Sequence, residues 1–370
     1  MAAITPADTR AAAETYPFGS YRGTRRWMGA LWERPLLRAI VRAALTVYVV
    51  ITLTFVIVRL MPGNPVDNYI FQLIAEQNTT YQEAADQASA LFNIDLTRPL
   101  HLQYLDFLGR LVRGDLGTSL LSAGTPVTAV ILTFLPWTLF AVGTGLFLSF
   151  TVGIGLGLLA AYNRNSAFDT IVSTVGSIVS SVPNYLVALL FVVFGGTVFH
   201  ILPIAQMRGS SSPGIPPGFT PEYIGDIFFH AALPITVFFL TVIGHWILSM
   251  KSATMATLEE DYVSAARARG LSDGRIATAY VGRNAVLPLV TQFAIAAGYV
   301  VGGAILVEFL LVYPGIGLRL VKAIDQRDYP VMQGIILLTT VAVVAANFIA
   351  DLLYSRLDPR IGRAGGASGT

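Results

Sequence analysis

Residues 127–162 read VTAVILTFLPWTLFAVGTGLFLSFTVGIGLGLLAAY, thirty-six positions without Asp, Glu, Lys or Arg. About 20 apolar residues cross a ~30 Å hydrocarbon core as a helix, so by length alone this run could hide two spans. Pro136 divides it, and Val127 to Leu135 is too short to cross. The run is read as an interfacial helix leading into a span at 137–162. Working outward, five more apolar stretches have spanning length: 43–61, 169–199, 231–250, 286–311 and 331–354. The chain is 54% hydrophobic and 12% charged, about half the charge of an ordinary soluble domain. The expected class is an all-α integral membrane protein with six transmembrane helices.

Basic residues orient the spans. With the N-terminus in the cytoplasm, inside segments carry sixteen Lys/Arg and outside segments seven, as the positive-inside rule requires. Both termini are therefore expected in the cytoplasm. The first 42 residues hold seven Arg and no apolar core, so the first span is read as an uncleaved signal-anchor. Expected domains are a cytoplasmic lead (1–42), the first helix (43–61), an extracytoplasmic segment (62–126), a core (127–356) and a cytoplasmic tail (357–370).

Several functions are excluded or disfavoured. The two lysines, Lys251 and Lys322, follow Met250 and Val321. A phosphate-binding loop needs Gly-Lys-Ser/Thr, so this chain has no such nucleotide site and is not expected to be an enzyme. With no cysteine, thiolate metal sites and disulfides are impossible. His101, His200, His230 and His245 lack metal-ligand spacing. His245, beside Trp246 within a span, is read either as a packed interior histidine or as a substrate contact. Glu308 is the acidic residue placed inside a span, and burying it unpaired is costly. It either lines a path or pairs with Arg319 or Lys322. A proton-coupled carrier would need more such groups and an internal repeat.

The polar stretch 251–284 interrupts the apolar pattern on the cytoplasmic side. Asp261 to Arg269 is helix-forming, Gly270 is a stop, Ser272 is an N-cap candidate, and a second helix-length run reaches Asn284. Two short helices on a membrane surface suit a docking device.

Motifs along residues 40–363 carry a resemblance. In order they are Arg59-Leu60-Met61-Pro62-Gly63-Asn64-Pro65, Pro99-Leu100-His101-Leu102-Gln103-Tyr104, Arg113-Gly114-Asp115-Leu116-Gly117-Thr118-Ser119 and Ser181-Val182-Pro183-Asn184-Tyr185. There follow Ser264-Ala265-Ala266 with Gly270, Glu308 to Tyr313-Pro314-Gly315-Ile316-Gly317 with Asp328-Tyr329-Pro330-Val331, and Leu357-Asp358-Pro359-Arg360. The chain resembles the B-type inner-membrane permeases of peptide-type ABC importers, the dipeptide/oligopeptide/nickel family. Asn64 stands where that family has Asp, and Ser264 where the broad consensus has Glu.

The resemblance implies a type I ABC importer permease core with an extra N-terminal helix and an extracytoplasmic segment, in the cytoplasmic membrane. It implies half of a translocation path for short peptides, with oligosaccharides or nickel complexes as alternative cargo. An ATPase-independent membrane pore is the alternative of another class. Implied partners are a C-type permease, two ABC ATPase subunits that bring ATP and Mg, and an extracytoplasmic substrate-binding protein. The coupling residues would be Glu260, Ser264, Ala265, Ala266, Arg267, Arg269 and Gly270, and the path residues Asn184, Tyr185, His245 and Glu308. The third span is expected to kink near Pro183. Segments 69–92 and 209–220 are longer than usual for the family, either as docking surface or as tolerated insertions.

Overall fold

A computed structural model describes residues 35–60, 70–71, 73–75, 78–92, 99–122, 124–300, 302 and 304–357. The lead up to residue 34, the Pro62-Gly63-Asn64-Pro65 motif, the Asp358-Pro359-Arg360 motif and the tail lie outside the described residues. Residues 1–44 form one unit, described only for the opening of helix α1 (Pro35–Leu60); residues 45–370 form the other.

Within the larger unit, α2 (Tyr81–Phe92) and α3 (Leu100–Val112) precede the long α4 (Val127–Tyr162). Next come α5 (Ala167–Ser181) and α6 (Asn184–Leu190), the latter continued by a π-helical turn, Phe191–Val198. The long α7 (Pro221–Leu258) leads to α8 (Asp261–Ala268). A composite α9 follows, made of Asp273–Arg275, Ile276–Gly282 and Arg283–Ala285. The chain closes with α10 (Leu287–Tyr299), α11 (Ile305–Leu311), α12 (Ile316–Asp325) and α13 (Tyr329–Leu357).

Among the described residues, four helices, α1, α4, α7 and α13, are long and apolar enough to cross a membrane, and the bent pair α5–α6 makes a fifth when counted as one span. Three features differ from a simple row of straight spans. Pro136 sits inside α4 without ending it. The turns before it pack Val127, Val130 and Ile131 against Ile316, Leu320 and Ile335, so that part of the helix is buried on protein instead of lying on a surface. The third span bends by 95° between α5 and α6. Pro183 forces the preceding residue out of the helical region, and Val182 is extended at φ −90°, ψ 124°. The fifth expected span divides into α10, which ends at Tyr299, and α11, which starts at Ile305; glycine in this part of the sequence lowers helix propensity.

The core is built on small residues. Ala141, Gly145, Ser149, Gly153, Gly157 and Ala161 recur every fourth position on the buried face of α4, the small-xxx-small pattern that lets membrane helices touch. A methyl added at Gly145 would come within 2.8 Å of the Phe238 Cβ, and one at Gly153 within 2.6 Å of the Trp246 Cβ. α5 crosses α7 as closely, because a Cβ at Gly244 would meet the Gly176 carbonyl at 1.9 Å. Between these contacts Phe150 packs on Trp246 and Phe293, with ring centroids 5.0 and 4.4 Å away.

Candidate functional site

The 251–284 segment is a continuation of the core. α7 ends at Leu258, and α8 starts after two intervening residues, with Glu260 in extended geometry at its N-cap. α8 ends in paired backbone bonds: Gly270 N–H donates to the Arg267 carbonyl (2.9 Å) and Leu271 N–H to that of Ala266 (3.3 Å). This is the Schellman arrangement, and it needs a left-handed residue at Gly270's position; Gly270 has φ +75°. The expected stop is there. Ser272 sits at the N-cap of α9, but its side chain makes no capping bond.

α8 has two faces. Val263 and Ala266 are buried with Ile276 and Val281, and Tyr162, Leu258, Leu271 and Tyr280 close the cluster. Glu260, Ser264, Ala265, Arg267, Arg269 and Gly270 are exposed. Ala266 therefore belongs to the packing that seats α8, and its burial removes it from the surface a partner would touch. The Tyr262 hydroxyl accepts from Asn284 Nδ2 at 3.0 Å, tying the segment's two ends.

A polar tie that the span pattern hides sits at the first residue of this segment. Lys251 Nζ donates to Asp169 Oδ1 and to Ser173 Oγ at 3.0 Å. Asp169 Oδ2 accepts from Asn165 N–H at 3.1 Å, and Asp169 N–H donates to the Ser166 cap at 3.1 Å. The tie joins the first turn of α5 to the lower part of α7. Glu308 is thus not alone as an acidic residue in an expected span: Asp169 opens the third one and is ion-paired. Both partners were visible in sequence, but 82 positions separate them, and no local pattern links them.

Toward the other end of α4, where Thr138 lies about 36 Å from Tyr162 by helix rise, several quoted motifs meet. Glu308 is fully buried. Its Oε1 accepts from Thr138 Oγ1 at 2.6 Å, and its Oε2 from the N–H groups of Gly317 (2.7 Å) and Leu318 (3.2 Å). Ile316 N–H donates to Thr138 Oγ1 at 2.8 Å. The carboxylate thus satisfies the free N–H groups at the start of α12. Pairing with Arg319 or Lys322 is corrected: Arg319 Nη2 lies 3.5 Å from Asp328, and Lys322 is exposed. Buried Asp328 accepts from Ser119 Oγ (2.5 Å) and Leu120 N–H (3.1 Å). Gly117 (φ +84°) turns the chain so that its carbonyl accepts from Val127 N–H at 2.9 Å. Segments 113–119, 308–317 and 328–331 therefore form one junction.

The other nominated path residues lie elsewhere. Half-buried Asn184 and exposed Tyr185 open α6 directly after the bend. His245 is exposed midway along α7, its ring centroid 5.0 Å from that of Trp246, so the packed-interior reading of it does not hold within this chain. The 209–220 segment is anchored: Ser212 Oγ donates to Asp226 Oδ1 (2.7 Å) and lies 3.1 Å from His230 Nε2. Among the described residues no group of three or more His, Asp or Glu side chains is arranged to hold a metal ion.

Residues 153–363 match the family described as "Binding-protein-dependent transport system inner membrane component". The chain is 35% identical over 327 residues to the di/tripeptide transport system permease protein DppB of Pseudomonas aeruginosa, covering 85% of this chain and 95% of that protein. It is 31% identical over 309 residues to the oligopeptide transport system permease protein AppB of Bacillus subtilis, covering 84% and 93%. Against the glutathione transport system permease protein GsiC of Salmonella choleraesuis it is 30% identical over 318 residues, covering 85% and 94%. The match takes in both the segment with the two-faced α8 and the junction around Glu308 and Asp328, and the chain belongs to the inner-membrane components of binding-protein-dependent transport systems, in their peptide-permease branch.

Proposed function

We propose that this chain is one of two permease halves of an importer that takes up short peptides delivered by an extracytoplasmic substrate-binding protein. The exposed face of α8 carries the reading. It presents Ser264, Ala265, Arg267 and Arg269 on a helix held from behind by Val263 and Ala266, which suits a rigid handle. One of two separate ATPase subunits, which hold ATP and Mg, grips this face, with Glu260 and Gly270 at its ends. A C-type permease completes the path. Peptide cargo is favoured because the relatives named above are transporters of di/tripeptides, oligopeptides and glutathione.

In this reading six segments cross the cytoplasmic membrane: α1, α4, the broken α5–α6, α7, the divided α10–α11, and α13. Both termini lie in the cytoplasm. Asn184 and Tyr185, at a break that interrupts a span, and His245, exposed on α7, are the proposed path contacts. Non-helical backbone at membrane depth is tolerated where it lines a cavity or protein, which suits the 182–183 break. Glu308 serves the scaffold, since its carboxylate is occupied by three donors.

The test is uptake. Cells lacking this chain should fail to accumulate labelled di-, tri- and oligopeptides, and regain accumulation when it is restored. Competition by nickel complexes or oligosaccharides, without competition by peptides, would overturn the cargo. Accumulation independent of any ATPase would overturn the mechanism.

A further inference from the structure

Helix α3 (Leu100–Val112) belongs by sequence to the segment between the first two spans, where water would be its surroundings. Its contacts point elsewhere. Tyr104 OH lies 2.6 Å from Thr52 Oγ1. The Phe55 ring has centroids 5.2 Å from Tyr104 and 5.5 Å from Phe107. Thr52 and Phe55 stand on α1, whose apolar window is Leu37–Ile57. At ~1.5 Å rise per residue, that window is about 31 Å long, the thickness of a hydrocarbon core. By the same rise, Thr52 sits about 7.5 Å inside its Ile57 end. A helix whose tyrosine reaches Thr52 therefore lies alongside the last turns of α1, at the depth where acyl chains begin.

The periodicity of α3 agrees. With roughly 3.6 residues per turn, Tyr104, Phe107 and Leu111 share the side that meets α1. Leu105, Leu108 and Val112 fall on one flank, with His101 at its N-terminal end; Gln103, Asp106 and Arg110 fall on the flank roughly opposite. Leu105 and Val112 are 59% and 89% exposed, and no residue of α3 is buried. This is the three-sided pattern of a helix lying flat in a membrane boundary against an upright one, with one flank toward acyl chains and one toward headgroups.

We propose that α3 is embedded in the leaflet at the Leu60 end of α1, with Leu105, Leu108 and Val112 in acyl chains and Asp106 and Arg110 at headgroup level. The occupant of the exposed apolar flank is lipid. The proposal rests on α1 as a span and is independent of cargo. It implies that a soluble partner docking on the 62–126 segment meets residues on either side of α3 and leaves the apolar flank untouched.

The absence of cysteine makes the test direct. Single substitutions Leu105→Cys, Val112→Cys and Asp106→Cys are introduced into the full-length chain of the assembled transporter in liposomes. Each is labelled with an environment-sensitive fluorophore, and peptide uptake or, failing that, thermal melting checks that it has folded. Lipids carrying a nitroxide near the head of the acyl chain should quench the Leu105 and Val112 probes several-fold more than aqueous iodide does. The Asp106 probe should show the reverse order. Iodide quenching of all three probes alike would overturn the proposal, and so would protection of the Leu105 and Val112 probes from both quenchers, which would mean that protein covers the flank.

Discussion

Two neighbouring alanines illustrate how much depends on one residue's direction. Ala265 faces out and Ala266 faces in, 3% exposed among Val263, Ile276 and Val281. Ala266→Asp buries a charge without a partner and should cost about 3 kcal/mol or more, visible as a lowered melting temperature of the solubilised protein. Ala265→Asp should leave the melt within about 0.5 kcal/mol of wild type, yet reduce both ATPase co-purification and uptake. If Ala265→Asp leaves both intact, the grip on α8 is wrong. The sequence motif could not separate these alanines, because facing is set by where α9 folds back. Glu308 makes a similar point: its burial was readable from its apolar surroundings, but its donors come from Thr138 and two backbone N–H groups. Thr138→Val should destabilise by about 1–3 kcal/mol by leaving buried partners unmet, whereas Thr138→Ser should recover most of the loss in the same melt.

Among elements, α4 and α7 show what periodicity reveals and what it leaves hidden. Apolar length was plain, and the small residues at every fourth position of α4 were open to reading as a contact stripe. That α7 is the helix they touch required the fold. Gly153→Leu should push the two helices apart, since even a Cβ would meet Trp246 at 2.6 Å; the expected outcome is loss of folded protein on size-exclusion chromatography. The Asp169–Lys251 tie binds α5 to α7 at the start of the 251–284 segment. Lys251→Met should lower uptake while ATPase co-purification persists, because the exposed face of α8 is unchanged. The exchanged pair Asp169→Lys with Lys251→Asp should restore part of the uptake, and a double-mutant cycle should report coupling of about 0.5–3 kcal/mol. Additive single effects would sink the idea that the tie transmits force. Pro183 announced a kink, but its 95° extent follows from how α6 packs on α7 and α11, which no local pattern specifies.

For the molecule as a whole, the lack of a Gly-Lys-Ser/Thr loop has a direct expected outcome. The purified chain alone should hydrolyse no ATP, and accumulation in vesicles should appear only when ATPase subunits are restored; hydrolysis by the isolated chain would contradict the division of labour. Membrane class and motif order were legible from the amino acids because each depends on residues near one another in the chain. The junction between distant motifs was not, since Ser119 and Asp328 are 209 positions apart and Thr138 and Glu308 are 170 apart. Those separations also set a clock. A growing chain that has inserted α4 and α7 still lacks the carboxylates of Asp328 and Glu308 to which the Ser119 and Thr138 hydroxyls donate. Only after residue 328 leaves the ribosome can the junction close, so a chain truncated before that codon has the helices of the core without the contacts that Asp328 makes to Ser119, Leu120 and Arg319.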